Sequence, residues 1–201
     1  MRTWAIVLAA GSGRRFGGDK LTTEFRGRPL LAHCLDAVSR AVAERILESG
    51  VVVRRARDQA VADLAVSSGL QCVAVALEGA GLAESLRTGL SALSLALPDG
   101  ALVVPGDQPL LRLDVIKALL SEAAGGDAPV VRPVYQEEPD VPGHPVWLAR
   151  SVWPLAAELL PDQGFSRILS HHGIVIRTAR VPGRNPDADT RERLASLESE
   201  P

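Results

Sequence analysis

The chain has 201 residues, 46% of them hydrophobic but only 3% aromatic, so its core must be built from Ala, Leu and Val. A net charge of −2, from 22 basic and 24 acidic residues, argues against a nucleic-acid binder, which would carry a basic face. No apolar stretch approaches the ~18 residues of a membrane span and no signal-peptide pattern opens the chain, so a cytoplasmic protein with one domain over residues 1–201 is expected.

Strand-like runs alternate with helical ones, the pattern of an α/β fold with a mostly parallel sheet. The first strand is expected at 3–8, followed by a helix over 29–47 with Pro29 in its first turn. A strand at 51–54, a helix over 58–67 and a strand at 70–75 come next. The segment 81–97 reads as an amphipathic helix with Leu82, Leu86, Leu90 and Leu93 on one face. The apolar run 101–104 has the character of a buried parallel strand. A helix over 113–124, strands at 129–134 and 144–148, helices at 152–160 and 165–171, a strand at 174–178 and a helix after Asp189 complete the pattern. The acidic loop 136–143 is expected to be exposed and mobile. Cys34 and Cys72 lack metal-ligand spacing and read as buried thiols.

The first strand breaks abruptly into Gly11, Gly13, Gly17 and Gly18, with Arg14, Arg15 and Lys20 among and after them. Glycines let backbone approach a ligand closely, and loop N–H groups with these cations would suit an anion such as a triphosphate. The chain has 20 arginines and two lysines, Lys20 and Lys117, so a lysine beside the glycine loop points to a need for a slender point charge. In open α/β sheets ligands sit beyond the carboxyl ends of strands, where the segments 78–85 and 105–109 also fall. Asp107, projecting from the tip of a buried strand, suits a Mg²⁺ ligand, although a turn aspartate bonding its own backbone has the same sequence. Asp187 and Asp189, two residues apart, would face the same way in an extended segment. Asp189 is read either as a second metal ligand or as the cap of the last helix. The histidines show no zinc pattern. His144, between Gly143 and Pro145, stands apart as a structural or a site residue.

These segments, Leu8-Ala9-Ala10-Gly11-x-x-Arg14-Arg15-Phe16-Gly17-Gly18-x-Lys20, Gly81-x-x-x-Ser85-Leu86, Gly106-Asp107-Gln108-Pro109, Gly143-His144-Pro145 and Asp187-x-Asp189-Thr190, closely resemble the MobA-like nucleotidyltransferases, and within them the molybdenum cofactor cytidylyltransferases. The resemblance implies a three-layer α/β/α sandwich with a mostly parallel, Rossmann-like sheet of the nucleotide-diphospho-sugar transferase type. It implies that the backbone of Leu8, Ala9, Ala10 and Gly11 holds base and ribose. Gly13, Arg14, Arg15 and Lys20 would hold the triphosphate, and Gly81 and Ser85 would close over the base. Asp107 and Asp189 would hold Mg²⁺, Lys20, Arg15 and Asp107 would carry catalysis, and His144 would face the acceptor. Leu-Ala-Ala-Gly, through Ala10, leans towards CTP. The acceptor implied is a small phosphorylated molecule such as molybdopterin, with a molybdoenzyme or its chaperone as a possible protein partner. Two departures, Leu77–Ala80 and the acidic 136–143 insertion, lie on the acceptor side. A dinucleotide-dependent oxidoreductase, with Arg54 and Arg55 suiting NADP, and a catalytically inert relative are the competing readings.

Overall fold

Strand β1 (Thr3–Ala9) lies at the centre of a seven-stranded sheet in the computed structural model, which describes residues 1–11, 13, 15–76, 81–161 and 163–199. Around it are β4 (Ser49–Arg54), β5 (Gln71–Ala74), β6 (Gly100–Pro105), β7 (Val130–Tyr135), β8 (Val146–Ala149) and β9 (Ile176–Val181), in the order β5-β4-β1-β6-β8-β7-β9. The pairs β1–β4, β1–β6, β4–β5 and β7–β9 are parallel, whereas β8 runs antiparallel to both its neighbours. Two short strands, β2 (Glu24–Phe25) and β3 (Arg28–Pro29), form a separate antiparallel pair.

The buried side chains sort into two layers because strand residues alternate between faces. Ala5, Val7 and Ala9 pack on one face with α1 (Leu30–Ala43), α2 (Gln59–Ser67) and α4 (Leu113–Ala124). Ile6, Val51 and Val53 pack on the other with α3 (Leu82–Ala92), the 3₁₀ helix Arg150–Glu158 and α5 (Phe165–His171). The result is the expected three-layer α/β/α arrangement. Helix α3 comes so close to the sheet that a Cβ on Gly89 would lie 2.4 Å from Ile6 Cγ2. A third cluster joins Phe16 and Phe25 to Leu194 and Leu197 of α6 (Arg191–Glu198), fastening the C-terminal segment beside the first loop.

Several expectations need correction. The segment 150–158 is 3₁₀ rather than α because Pro154 falls inside it and supplies no N–H to the ladder. Leu82 does not share the buried face of Leu86, Leu90 and Leu93; it is 47% exposed, since α3 begins there and its first turn borders open space. Cys34 is buried, but Cys72 is only half-buried on the edge strand β5. The loop 136–143 is largely exposed, and it is tied down by Gln136 N–H donating to Val181 O and Glu138 N–H to Tyr135 O. Among the described residues, no helix is long and apolar enough to cross a membrane.

Candidate functional site

After β1 the chain runs out to β4 and β5 and then returns to β6 on the other side, so the order reverses between β1 and β6. A crevice at the carboxyl ends of such strands is where open α/β sheets bind ligands. The two strand ends touch there: Gly106 N–H donates to Leu8 O at 3.0 Å, and a Cβ on Gly106 would press against that same oxygen. Above them opens a cavity of about 680 Å³, within the size range of small-molecule sites. Its wall includes Leu8, Gly11, Lys20, Gly81, Ser85, Asp107 and His144, seven residues singled out in the sequence, together with Asp187.

Lys20, opening a 3₁₀ turn (Lys20–Thr22), is the electrostatic centre. Its Nζ donates to Asp107 Oδ2 at 2.5 Å and to Asp189 Oδ1 at 2.8 Å, with the lysine side chain only 10% exposed. Burial alone would lower its pKa, but the charge of Asp107 and the hydrogen bonds from both carboxylates outweigh this and raise it. The ammonium is therefore charged at neutral pH. Asp107 projects from the end of β6, and Asp189 arrives from a segment 82 residues later because Ala188 N–H donates to Asp107 O at 3.1 Å. The helix cap at this end is Thr190, whose side chain accepts from Arg193 N–H, so the cap reading of Asp189 is not observed. Arg15 approaches Asp189 at 3.8 Å with its side chain 84% exposed.

The glycine loop is folded on itself. The amides of Phe16, Gly17 and Gly18 all donate to Gly13 O, at 2.9–3.2 Å, and Gly13 sits at φ 59°, where glycine carries no Cβ penalty. Those three amides are thus directed at Gly13 rather than outward as the sequence suggested. Ala9 and Ala10, expected to hold base and ribose, are buried and do not line the cavity; Ala10 belongs to the core cluster that includes Ile6 and Ala83. Ser85 Oγ donates to Gly81 O, fixing the first turn of α3. Arg14 and the segment 77–80 lie outside the described residues.

Two residues without a sequence role prove central to this arrangement. Gln108, 3% exposed, donates from Nε2 to Asp187 Oδ1 at 2.7 Å and accepts at Oε1 from Asn185 Nδ2 at 2.9 Å. This relay stitches the tail to the end of β6. Asn185-Pro186 just before the paired aspartates was the only sequence signal for it. Burial, and then the charge of Asp107, raise the pKa of Asp187, opposed by the Gln108 bond. Burial also lowers the pKa of His144, keeping it a neutral imidazole at neutral pH. His144 and Asp187 also border a second cavity of about 470 Å³, lined by Tyr135, Glu138 and Arg193.

Asp107 and Asp189 fit a divalent cation, because their oxygens already converge on one positive charge. Among the described residues no cluster of three or more His, Cys, Asp or Glu could hold a metal by itself, so a divalent ion held by these two carboxylates would complete its shell with oxygens from outside the protein. Arg54 and Arg55 do not form an open dinucleotide-phosphate site. Arg54 Nη1 donates to the carbonyls of Arg55 and Ala56, and Arg55 pairs with Asp58 at 3.1 Å.

Known proteins share this sequence and fold. The bifunctional protein GlmU of Streptomyces coelicolor is 34% identical over 142 residues, covering 69% of this chain but 28% of that protein, so the chain spans little more than a quarter of it. The molybdenum cofactor guanylyltransferase of Shewanella putrefaciens is 31% identical over 140 residues, 68% of this chain and 66% of its own. The crystal structure of Rv0371c from Mycobacterium tuberculosis H37Rv superposes with a TM-score of 0.84 at 24% identity, covering all of both chains. The sheet order, the crevice at its reversal point and a match to the MobA-like NTP transferase domain over residues 5–175 all agree, and the chain belongs to that family of nucleotidyltransferases.

Proposed function

We propose that the protein transfers CMP from CTP to a phosphate on a small acceptor, molybdopterin being the acceptor of choice, with release of pyrophosphate. The observation that carries this reading is the convergence of Asp107 and Asp189 on Lys20, with Lys20 and Asp107 lining the main cavity and Asp189 the second one. Two carboxylates and a lysine at the reversal point of the sheet are the charges that phosphoryl chemistry requires, since such reactions rely on positioning and charge neutralisation. An oxygen of the acceptor phosphate attacks the α-phosphorus, the bond to the β-phosphate breaks, and the electron pair leaves with pyrophosphate. No general base is required, because a phosphate monoester is already an anion near neutral pH.

Lys20, with Arg15 at the exposed rim, takes up the charge that develops on pyrophosphate. Bound between Asp107 and Asp189, Mg²⁺ would supply Lewis-acid neutralisation of phosphate oxygens. The Leu8–Gly11 backbone with Gly81 and Ser85 forms the nucleoside wall, and His144 stands on the acceptor side as a neutral donor or acceptor. Cytidine is favoured by Ala10, acting through the backbone position it sets against Ala83 rather than through contact. All 201 residues act as one catalytic domain in this reading, because the tail supplies Asp189.

The test is direct. With Mg²⁺ present, CTP should raise the melting temperature more than GTP, ATP or NADPH, and CTP with molybdopterin should release pyrophosphate. Asp107→Ala should lower that release about 10²–10³-fold, the usual loss for a transition-state electrostatic group. A preference for NADPH independent of metal would overturn the proposal.

A further inference from the structure

The main cavity is bordered on one side by Val146 and Leu148 of β8; β7 is the next strand of the sheet, and its residues stand just outside that lining. Val130 of β7 lies opposite Leu148 of β8 and Val131 opposite Trp147. Carried one residue further, this antiparallel register puts Arg132 opposite Val146. Residues directly opposite share a face of the sheet, and alternation puts Arg132 on the face of Val130. That is the cavity face, because Val146 and Leu148 both line the cavity and Val130 packs with Leu148 in the adjoining core layer.

Arg132 is half-buried, and its Nε is fully enclosed without a hydrogen-bond partner. Among the described residues it has no carboxylate partner, unlike Arg55, Arg87, Arg112 and Arg177, each of which pairs with an acid. Its charge reaches His144, where, after burial itself, it helps to hold the imidazole neutral. An enclosed donor without an acceptor is costly; Arg54 and Arg55 also enclose an unpaired Nε, but their other nitrogens are bonded to carbonyls and to Asp58, so Arg132 is the position that suits an anionic ligand.

The charges around the cavity give the same answer. A phosphate in this cavity shares it with the carboxylates of Asp107 and Asp187, and Lys20 is already shared by two carboxylates. A dianion needs another cation there, and a guanidinium fork matches phosphate oxygens bidentately. We propose that Arg132 binds the phosphate monoester of the acceptor on the β8 side of the main cavity. This assignment rests on the nucleotidyl-transfer reading above.

The test fills the nucleotide site first and then titrates the anion. Wild-type protein, Arg132→Gln and Arg132→Lys are each saturated with Mg²⁺ and α,β-methylene-CTP, which cannot be cleaved at the reacting bond. Inorganic phosphate is then added and its heat of binding measured. The wild type should bind phosphate, Arg132→Gln should lose at least about tenfold, and Arg132→Lys, which keeps the charge but not the fork, should fall between the two, as expected when a charge-assisted bidentate contact is removed. All three should bind the analogue alike, which also reports that the variants are folded. Equal phosphate binding by wild type and Arg132→Gln overturns the assignment, as does a wild type that takes the analogue but no phosphate. A wild type that fails to bind the analogue instead removes the nucleotidyl-transfer reading on which the assignment stands.

Discussion

Replacing Lys20 by alanine should move metal binding and turnover in opposite directions. In the protein without nucleotide, Nζ stands where a cation between Asp107 and Asp189 would stand, 2.5 Å and 2.8 Å from their oxygens. Divalent metal must therefore displace the ammonium or share the carboxylates with it. A hydrogen bond between charged groups contributes about 1.5–3 kcal/mol when poorly hydrated. Asp189 is 51% exposed, so its share belongs with surface pairs at about 0.2–1 kcal/mol. The competition is then about 2 kcal/mol, dominated by Asp107, and at ~1.4 kcal/mol per decade its removal should tighten metal binding about 30-fold. Turnover should fall about 10²–10³-fold, because the cation that meets pyrophosphate is gone. Free Mn²⁺ measured by electron paramagnetic resonance during titration, without nucleotide, gives the first quantity, and pyrophosphate release gives the second. Unchanged or weaker Mn²⁺ binding in Lys20→Ala would refute the idea that lysine and metal share one locus. Near-normal turnover would refute the role of Lys20 in catalysis.

Asp187→Asn should stabilise the metal-free protein at neutral pH. The folded state raises the pKa of Asp187 above its ordinary 3.8, so this group contributes stability while protonated and loses it as pH rises through the raised value. The asparagine keeps an oxygen for Gln108 Nε2 and removes the buried charge, so the gain in melting temperature should shrink as pH is lowered towards 3.8; a gain constant with pH would contradict this. Gly89→Ala should destabilise by about 1–2 kcal/mol in urea titration, since an overpacking cost of up to about 3 kcal/mol against Ile6 exceeds the roughly 1 kcal/mol helix gain of alanine. An unchanged unfolding midpoint would show that α3 can lift away from the sheet at little cost.

Periodicity made the large elements legible: α4 and α5 occur at 113–124 and 165–171 as the sequence suggested, and β1 differs by one residue. Local pattern was less informative where function begins. Nothing within residues 24–29 marks β2 and β3 as strands, because two-residue strands have no period and are held by the tertiary cluster of Phe16, Phe25 and α6. Ala10 was legible as a motif residue but not as a core methyl, since motif spacing carries no information on which way a side chain faces. Arg132, between Val131 and Pro133, was hidden inside a strand pattern.

The ligand site itself is non-local, and this explains both what could be read and what could not. Lys20 meets Asp107 across 87 positions and Asp189 across 169. Asp107 was conspicuous as a charge beside glycine at a strand end, Lys20 as one of two lysines close to the glycine loop, and Asp189 as one of a pair of aspartates two residues apart. Their pairing depends on the tail being held by Ala188 N–H on Asp107 O, by the Asn185–Gln108–Asp187 relay and by α6 against Phe16. None of these contacts has a sequence period, yet together they bring two carboxylates onto one ammonium. The tail is thus part of the candidate site rather than an appendage. Any substitution that loosens it, at Gln108 as much as at Leu194, should weaken cation binding between Asp107 and Asp189 before it disturbs the nucleoside wall built on β1 and α3.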